Sequence, residues 1–99
     1  MTNNEDLLHC RVCGFLHQES PWGKTGMDPD YTICPSCGVE AGYEDSTLEA
    51  TRKYRSEWLE SGAPWFSKSA KPEGWSLDEQ LKHIPASFRD ESLPPSEPD

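Results

Sequence analysis

Two short runs carry the chemistry of this chain: Cys10-Arg11-Val12-Cys13-Gly14 and Cys34-Pro35-Ser36-Cys37-Gly38, with twenty residues between Cys13 and Cys34. Two residues between paired cysteines let one tight turn aim both sulfurs at the same point, and two such pairs supply the four ligands of a tetrahedral metal site. Each glycine after the second cysteine allows the positive φ that such a turn needs. Pro35 pre-sets the second turn. The expected ligands are therefore Cys10, Cys13, Cys34 and Cys37, and they account for every cysteine in the chain.

Other uses of four cysteines fit less well. A thioredoxin-like dithiol is a single Cys-x-x-Cys at a helix start within a βαβ unit, whereas here two matched units occur without one. Structural disulfides belong to exported proteins, and Met1-Thr2-Asn3-Asn4-Glu5-Asp6 lacks the basic and then apolar layout of a secretory signal. Two symmetrical pairs also differ from the ferredoxin spacings that hold iron-sulfur clusters. No apolar run nears the roughly 18 residues of a membrane span, so a cytoplasmic protein without membrane attachment is expected.

Tetrahedral sulfur suits zinc and iron alike. Zinc is the expected cofactor, with iron as the alternative. His9 and His17 flank the first pair and could each substitute for a cysteine, but four thiolates leave no vacancy, which points to a supporting or surface role. His83 is placed to complement a helix dipole. No Ser-His-Asp or Cys-His arrangement can be drawn once the cysteines are committed, so a non-enzymatic protein is expected.

The elements that must position these ligands can be read around them. Only 33% of the 99 residues are hydrophobic, which allows one domain with a small core that a metal would staple. A flexible lead (1–6) precedes a cysteine module (7–45), a helical and aromatic extension (46–89) and an acidic, proline-rich tail (90–99) expected to be disordered. Leu7-Leu8-His9, Phe15-Leu16-His17 and Tyr31-Thr32-Ile33 are short runs that could form ribbons beside the turns. Ser46-Thr47-Leu48-Glu49 reads as a capping box with Ser46 as the cap, opening a helix that Gly62 stops. Leu48, Thr51, Tyr54, Trp58 and Leu59 share an arc of about 140° on that helix, which makes them core-facing. Arg55 falls inside the arc, either snorkelling at the core edge or paired with an acid of the cysteine module. Ser76-Leu77-Asp78-Glu79 opens a second helix, ending near Ile84 ahead of Pro85. The expected fold class is thus a small α+β metal-stapled domain, short strands at the turns followed by two helices.

Cys10 to Phe15 and Cys34 to Val39 resemble the two metal knuckles of rubredoxins, and Asp28-Pro29-Asp30-Tyr31-Thr32-Ile33 is similar to the approach to their second knuckle. That resemblance covers roughly the first 40 residues and implies one iron on four thiolates, passing single electrons. The insert between the knuckles is shorter than in rubredoxins, and the helical extension has no counterpart there. The whole layout resembles instead small bacterial cysteine-rich proteins of unassigned function, with a zinc-ribbon-like paired-knuckle domain and a following helix, which implies a fold and no activity.

Charge narrows the partners. The net charge is −9, and residues 1–45 hold eight acidic and two basic side chains. Such a field repels nucleic acid, and the aromatic-plus-basic patch that phosphates need is missing. A basic protein partner, or a cationic redox enzyme, is expected instead. Trp22, Trp58, Trp65, Phe66 and Trp75 serve either as a satellite core or, if Trp65 and Phe66 are exposed together, as an anchor patch for that partner. Size and acidity also allow an antitoxin-like or immunity-like binder.

Overall fold

The longest helix, α1, runs Leu48–Glu60 and is bounded by chemistry at both ends. Thr47 caps its start, its hydroxyl oxygen accepting from the Ala50 N–H at 3.0 Å. The cap is thus one residue later than the Ser46 expected from sequence; the Ser46 hydroxyl instead donates back to the Tyr43 carbonyl. At the far end Gly62 takes φ +95°, Ala63 N–H donates to Trp58 O at 2.9 Å and Gly62 N–H to Leu59 O at 3.0 Å, a Schellman stop. Thr51, Arg55 and Trp58 are buried on the inner face. Leu48, expected among them, is exposed because it sits in the first turn, short of the module that covers the rest.

A computed structural model describes residues 7–90 and Leu93 of this chain. The lead (1–6) and the remainder of the tail (91, 92 and 94–99) lie outside the described residues. After α1 come a 3-10 turn at Lys68–Ala70, a short helix α2 at Leu77–Leu81 and a second 3-10 turn at Ala86–Phe88. Ser76 caps α2 as expected, its hydroxyl accepting from Glu79 N–H at 3.3 Å.

The expected strands do not form. Among the described residues there is no sheet, only two isolated antiparallel bridges, His9 with Leu16 and Ile33 with Glu40. The described residues are therefore not an α+β fold; they form a compact body of turns, with α1 and α2, around the cysteines, with a Cα radius of gyration of 12.4 Å. Local chemistry stops each ribbon from lengthening. Leu7 and Leu8 are helical. Tyr31 holds φ +61°, which no strand residue adopts. The Asp30 carboxylate takes the Thr32 N–H at 2.9 Å, diverting a donor from any ladder.

The core is small and centred on sulfur. Cys10, Val12, Cys13, Cys34, Cys37 and Val39 pack with Trp58, Ala63, Leu81 and Ile84, and Leu93 reaches the same cluster. Trp65 is buried, with Phe15 and Trp75 meeting it edge-on at 5.8 and 5.5 Å between ring centres. Phe66 beside it is 64% exposed, so the two do not form a joint surface.

Candidate metal centre

The two cysteine turns are near-duplicates. In the first, Cys10 N–H donates to Phe15 O at 2.8 Å and Gly14 N–H to Cys10 O at 2.9 Å; in the second, Cys34 N–H donates to Val39 O at 2.9 Å and Gly38 N–H to Cys34 O at 2.8 Å. Gly14 and Gly38 have φ +89° and +83°, as their place after the second cysteine demands. Each turn thus points two sulfurs to one side, and the turns face each other.

All four sulfurs lie within 4.8 Å of one another and all four residues are buried. Cys10 Sγ is 3.8 Å from Cys37 Sγ, and Cys13 Sγ is 3.7 Å from Cys34 Sγ. A tetrahedron with metal–sulfur bonds of about 2.3 Å has edges of about 3.8 Å. The cluster is therefore spaced to hold one metal ion, and no disulfide joins its members. Its electrostatics are those of thiols competing to ionise in a dry space. Burial pushes the Cys13 and Cys37 thiols well above their ordinary range. Burial also opposes the Cys10 thiolate, yet hydrogen bonds with Cys13 and Cys37 bring it down to about 7. Hydrogen bonds from Cys10, Cys13 and Cys37 hold Cys34 low. A cation at the centre removes this competition by allowing every thiol to ionise.

His17 stands outside the four-sulfur group and beside it. Burial works to lower its pKa, but interactions with Cys10 and Cys34 outweigh burial and raise it to about 9. The ring meets Phe15 edge-on at 5.0 Å. His9 turns away, its Nδ1 bonded to the Gly14 carbonyl at 2.9 Å and its ring stacked on His83 at 5.0 Å. His83 lies just beyond the end of α2, its backbone N–H donating to Gln80 O at 3.0 Å.

Two residues matter more than the sequence indicated. Arg55 is 1% exposed, its Nε donating to Val12 O at 2.7 Å and its guanidinium also reaching Arg11 O, so it grips the loop between Cys10 and Cys13. Its ion pair is with Asp90 at 3.0 Å rather than with an acid of the cysteine module. Asp45, 2% exposed, accepts from Gly42 N–H at 2.8 Å and Trp22 Nε1 at 3.0 Å, closing the loop before the second turn onto the loop after it. Burial pushes its carboxyl up, and those two donors with Arg11 oppose the shift. Arg55's partners and Asp45's partner Trp22 lie far away in the chain, so local pattern alone does not reveal these contacts.

Fold and site together define a small compact domain organised around a buried four-cysteine cluster. No family model matches the chain, and no solved structure does. It is similar to the uncharacterized protein YoaQ of Bacillus subtilis (strain 168), at 33% identity over 59% of this chain and 62% of that protein's length. The chain thus spans less than two thirds of the relative it matches. Among the described residues no helix is long and apolar enough to cross a membrane.

Proposed function

We propose that Cys10, Cys13, Cys34 and Cys37 hold one zinc ion in a closed structural site, and that the protein is a non-enzymatic module whose metal supports a protein-interaction surface. The observation that carries this reading is the set of four buried sulfurs within 4.8 Å of one another. A catalytic zinc keeps an open position for water or substrate; a complete set of four protein thiolates favours the closed kind. His17 supports the same reading as a donor beside the sulfurs, a role that lowers the charge density of a thiolate site.

The surface that a structural ion would hold in place is acidic and aromatic. Met27, Tyr31, Ile33 and Tyr43 are exposed around the second turn, within a stretch from Thr25 to Thr51 that contains no lysine or arginine and six acids. That character suits a basic protein partner. The same ligand set serves iron, which would make the site a one-electron carrier. Elemental analysis with a visible spectrum, on protein purified from near-native expression, separates the two. One zinc per chain and no colour supports the structural reading; one iron with a red colour that bleaches on reduction replaces it with electron transfer.

A further inference from the structure

We propose that residues 85–90, together with Leu93, form a latch whose closure is coupled to metal occupancy, with Arg55 as the positioning residue that joins the two. The inference rests on the metal reading above and adds to it a responsive element. One buried guanidinium faces two ways: toward the module, Arg55 donates to the carbonyls of Val12 at 2.7 Å and Arg11 at 3.0 Å, the two residues between the first pair of ligands. Toward the C-terminal segment, it donates to the Phe88 carbonyl and to Asp90 Oδ2 at 3.0 Å. The Arg11 side chain repeats the connection, its guanidinium stacked between the rings of Trp22 at 3.8 Å and Phe88 at 4.2 Å.

The segment has further attachments. Arg52 donates to the Arg89 carbonyl at 2.6 Å, Arg89 donates to the Leu81 carbonyl at 2.9 Å, and Leu93 reaches the core. A hollow of about 140 Å³ between Leu7, His9, Trp22 and Phe88 shows that the fit is not flush. Phe88 and Leu93 also pack on the core, and the polar part of the hold passes through Arg55 and Arg11. An ion on Cys10 and Cys13 fixes the loop that presents the Arg11 and Val12 carbonyls. Without it those acceptors lose their fixed positions, and a buried guanidinium deprived of acceptors is costly. Metal loss thus loosens Arg55, and Arg55 releases Phe88 and Asp90, uncovering the face of Arg11 and Trp22.

Coupling is reciprocal, so lifting the latch must weaken metal binding by the factor with which metal closes the latch. The test uses the full chain, zinc as the metal, a chromophoric chelator as competitor, and trypsin cleavage after Arg89 as the reporter of release. In zinc-loaded protein Asp90→Asn, and separately Phe88→Leu, are expected to speed that cleavage and to weaken zinc binding about tenfold, the low end for residues that support metal ligands. Lys53→Gly, which weakens the exposed side of α1 without touching the latch, is expected to leave zinc affinity within twofold. Faster cleavage with unchanged zinc affinity in both latch variants overturns the coupling. So does unchanged cleavage in both, or an equal loss of affinity in Lys53→Gly, which would make the effect one of general stability. A wild-type chain that binds no zinc fails at the earlier step and overturns the metal reading itself.

Discussion

The two cysteine turns share a backbone and differ in everything laid upon it. Around the first, Arg55 holds two of its carbonyls, the Gln80 carbonyl and Ile84 N–H press on Gly14, and the segment at Phe88 stacks on Arg11. The second meets lighter partners. Tyr54 donates to Cys37 O at 3.0 Å, Phe66 N–H donates to Ser36 O, and an exposed Phe66 ring lies over Gly38. Gln80 touches both, its backbone against Gly14 and its amide donating to Ser36 Oγ at 2.9 Å. Identical ligand geometry thus comes from the local motif, while burial and rigidity come from the rest of the chain. The two turns are about equally buried; the first is held by a guanidinium and close backbone contacts, the second by single hydrogen bonds and an exposed ring.

The largest expected effect does not distinguish the halves, because one ion would belong to both. Cys13→Ser and Cys34→Ser are each expected to abolish stoichiometric zinc binding and to unfold residues 7–45, as is removal of metal by a chelator. Structural zinc in small modules contributes about 10 kcal/mol or more of folding free energy, comparable with the whole stability of a domain, about 5–15 kcal/mol. Circular dichroism and hydrogen exchange unchanged in the metal-free chain would show that the halves hold together without an ion.

Next come changes that should separate the halves. Arg55→Met leaves the Arg11, Val12 and Phe88 carbonyls and Asp90 without their donor, which is expected to cost about 3–5 kcal/mol. Its counterpart, Tyr54→Phe, removes one hydrogen bond to Cys37 O and is expected to cost about 1 kcal/mol by chemical denaturation. The glycines offer a sharper contrast. Both have positive φ, so alanine at either is strained by roughly 1 kcal/mol. At Gly14 the added Cβ would lie 2.1 Å from the Gln80 carbonyl oxygen, and backbone must move; at Gly38 it would lie 3.0 Å from an atom of the Phe66 ring, which is free to swing. Gly14→Ala is therefore expected to cost at least about 3 kcal/mol by adding overpacking to the strain, and Gly38→Ala roughly 1–2 kcal/mol. Equal losses would mean that the second turn is as tightly held as the first.

What the sequence disclosed follows the same division. The ligand cluster, the glycine turns and the Schellman stop at Gly62 depend on neighbours within a few residues, and they could be read directly. The strands could not: short β-prone runs lengthen into ribbons only if their donors are free, and Asp30, Tyr31 and the helical Leu7-Leu8 close that route. Arg55 was recognisable as an arginine on an apolar arc, but its acceptors lie 33 to 44 residues away. Asp45 looked like one more acid in an acidic half. Its burial depends on Trp22 and Gly42 coming together, which no local pattern announces.

The smallest effect tests where the flank of the second turn hands over to the helix. A Ser-x-x-Glu box would begin α1 at Ser46, whereas the structure places the cap at Thr47, whose hydroxyl accepts from Ala50 N–H while its carbonyl accepts from the Thr51 N–H at 2.9 Å and the Thr51 hydroxyl at 2.7 Å. Thr51 is fully buried and donates also to the Asp45 carbonyl at 3.2 Å, so the cap is fixed from both sides by the second turn's flank. Thr47→Ala is accordingly expected to cost about 1 kcal/mol, the usual loss for a cap. Ser46→Ala, which removes only an exposed 3.3 Å contact to Tyr43 O, is expected to fall within about 0.5 kcal/mol of the parent. Reversal of that order in thermal or denaturant melts would put the helix start back at Ser46 and detach it from the buried Thr51 and Asp45 contacts that now tie α1 to the cysteine module.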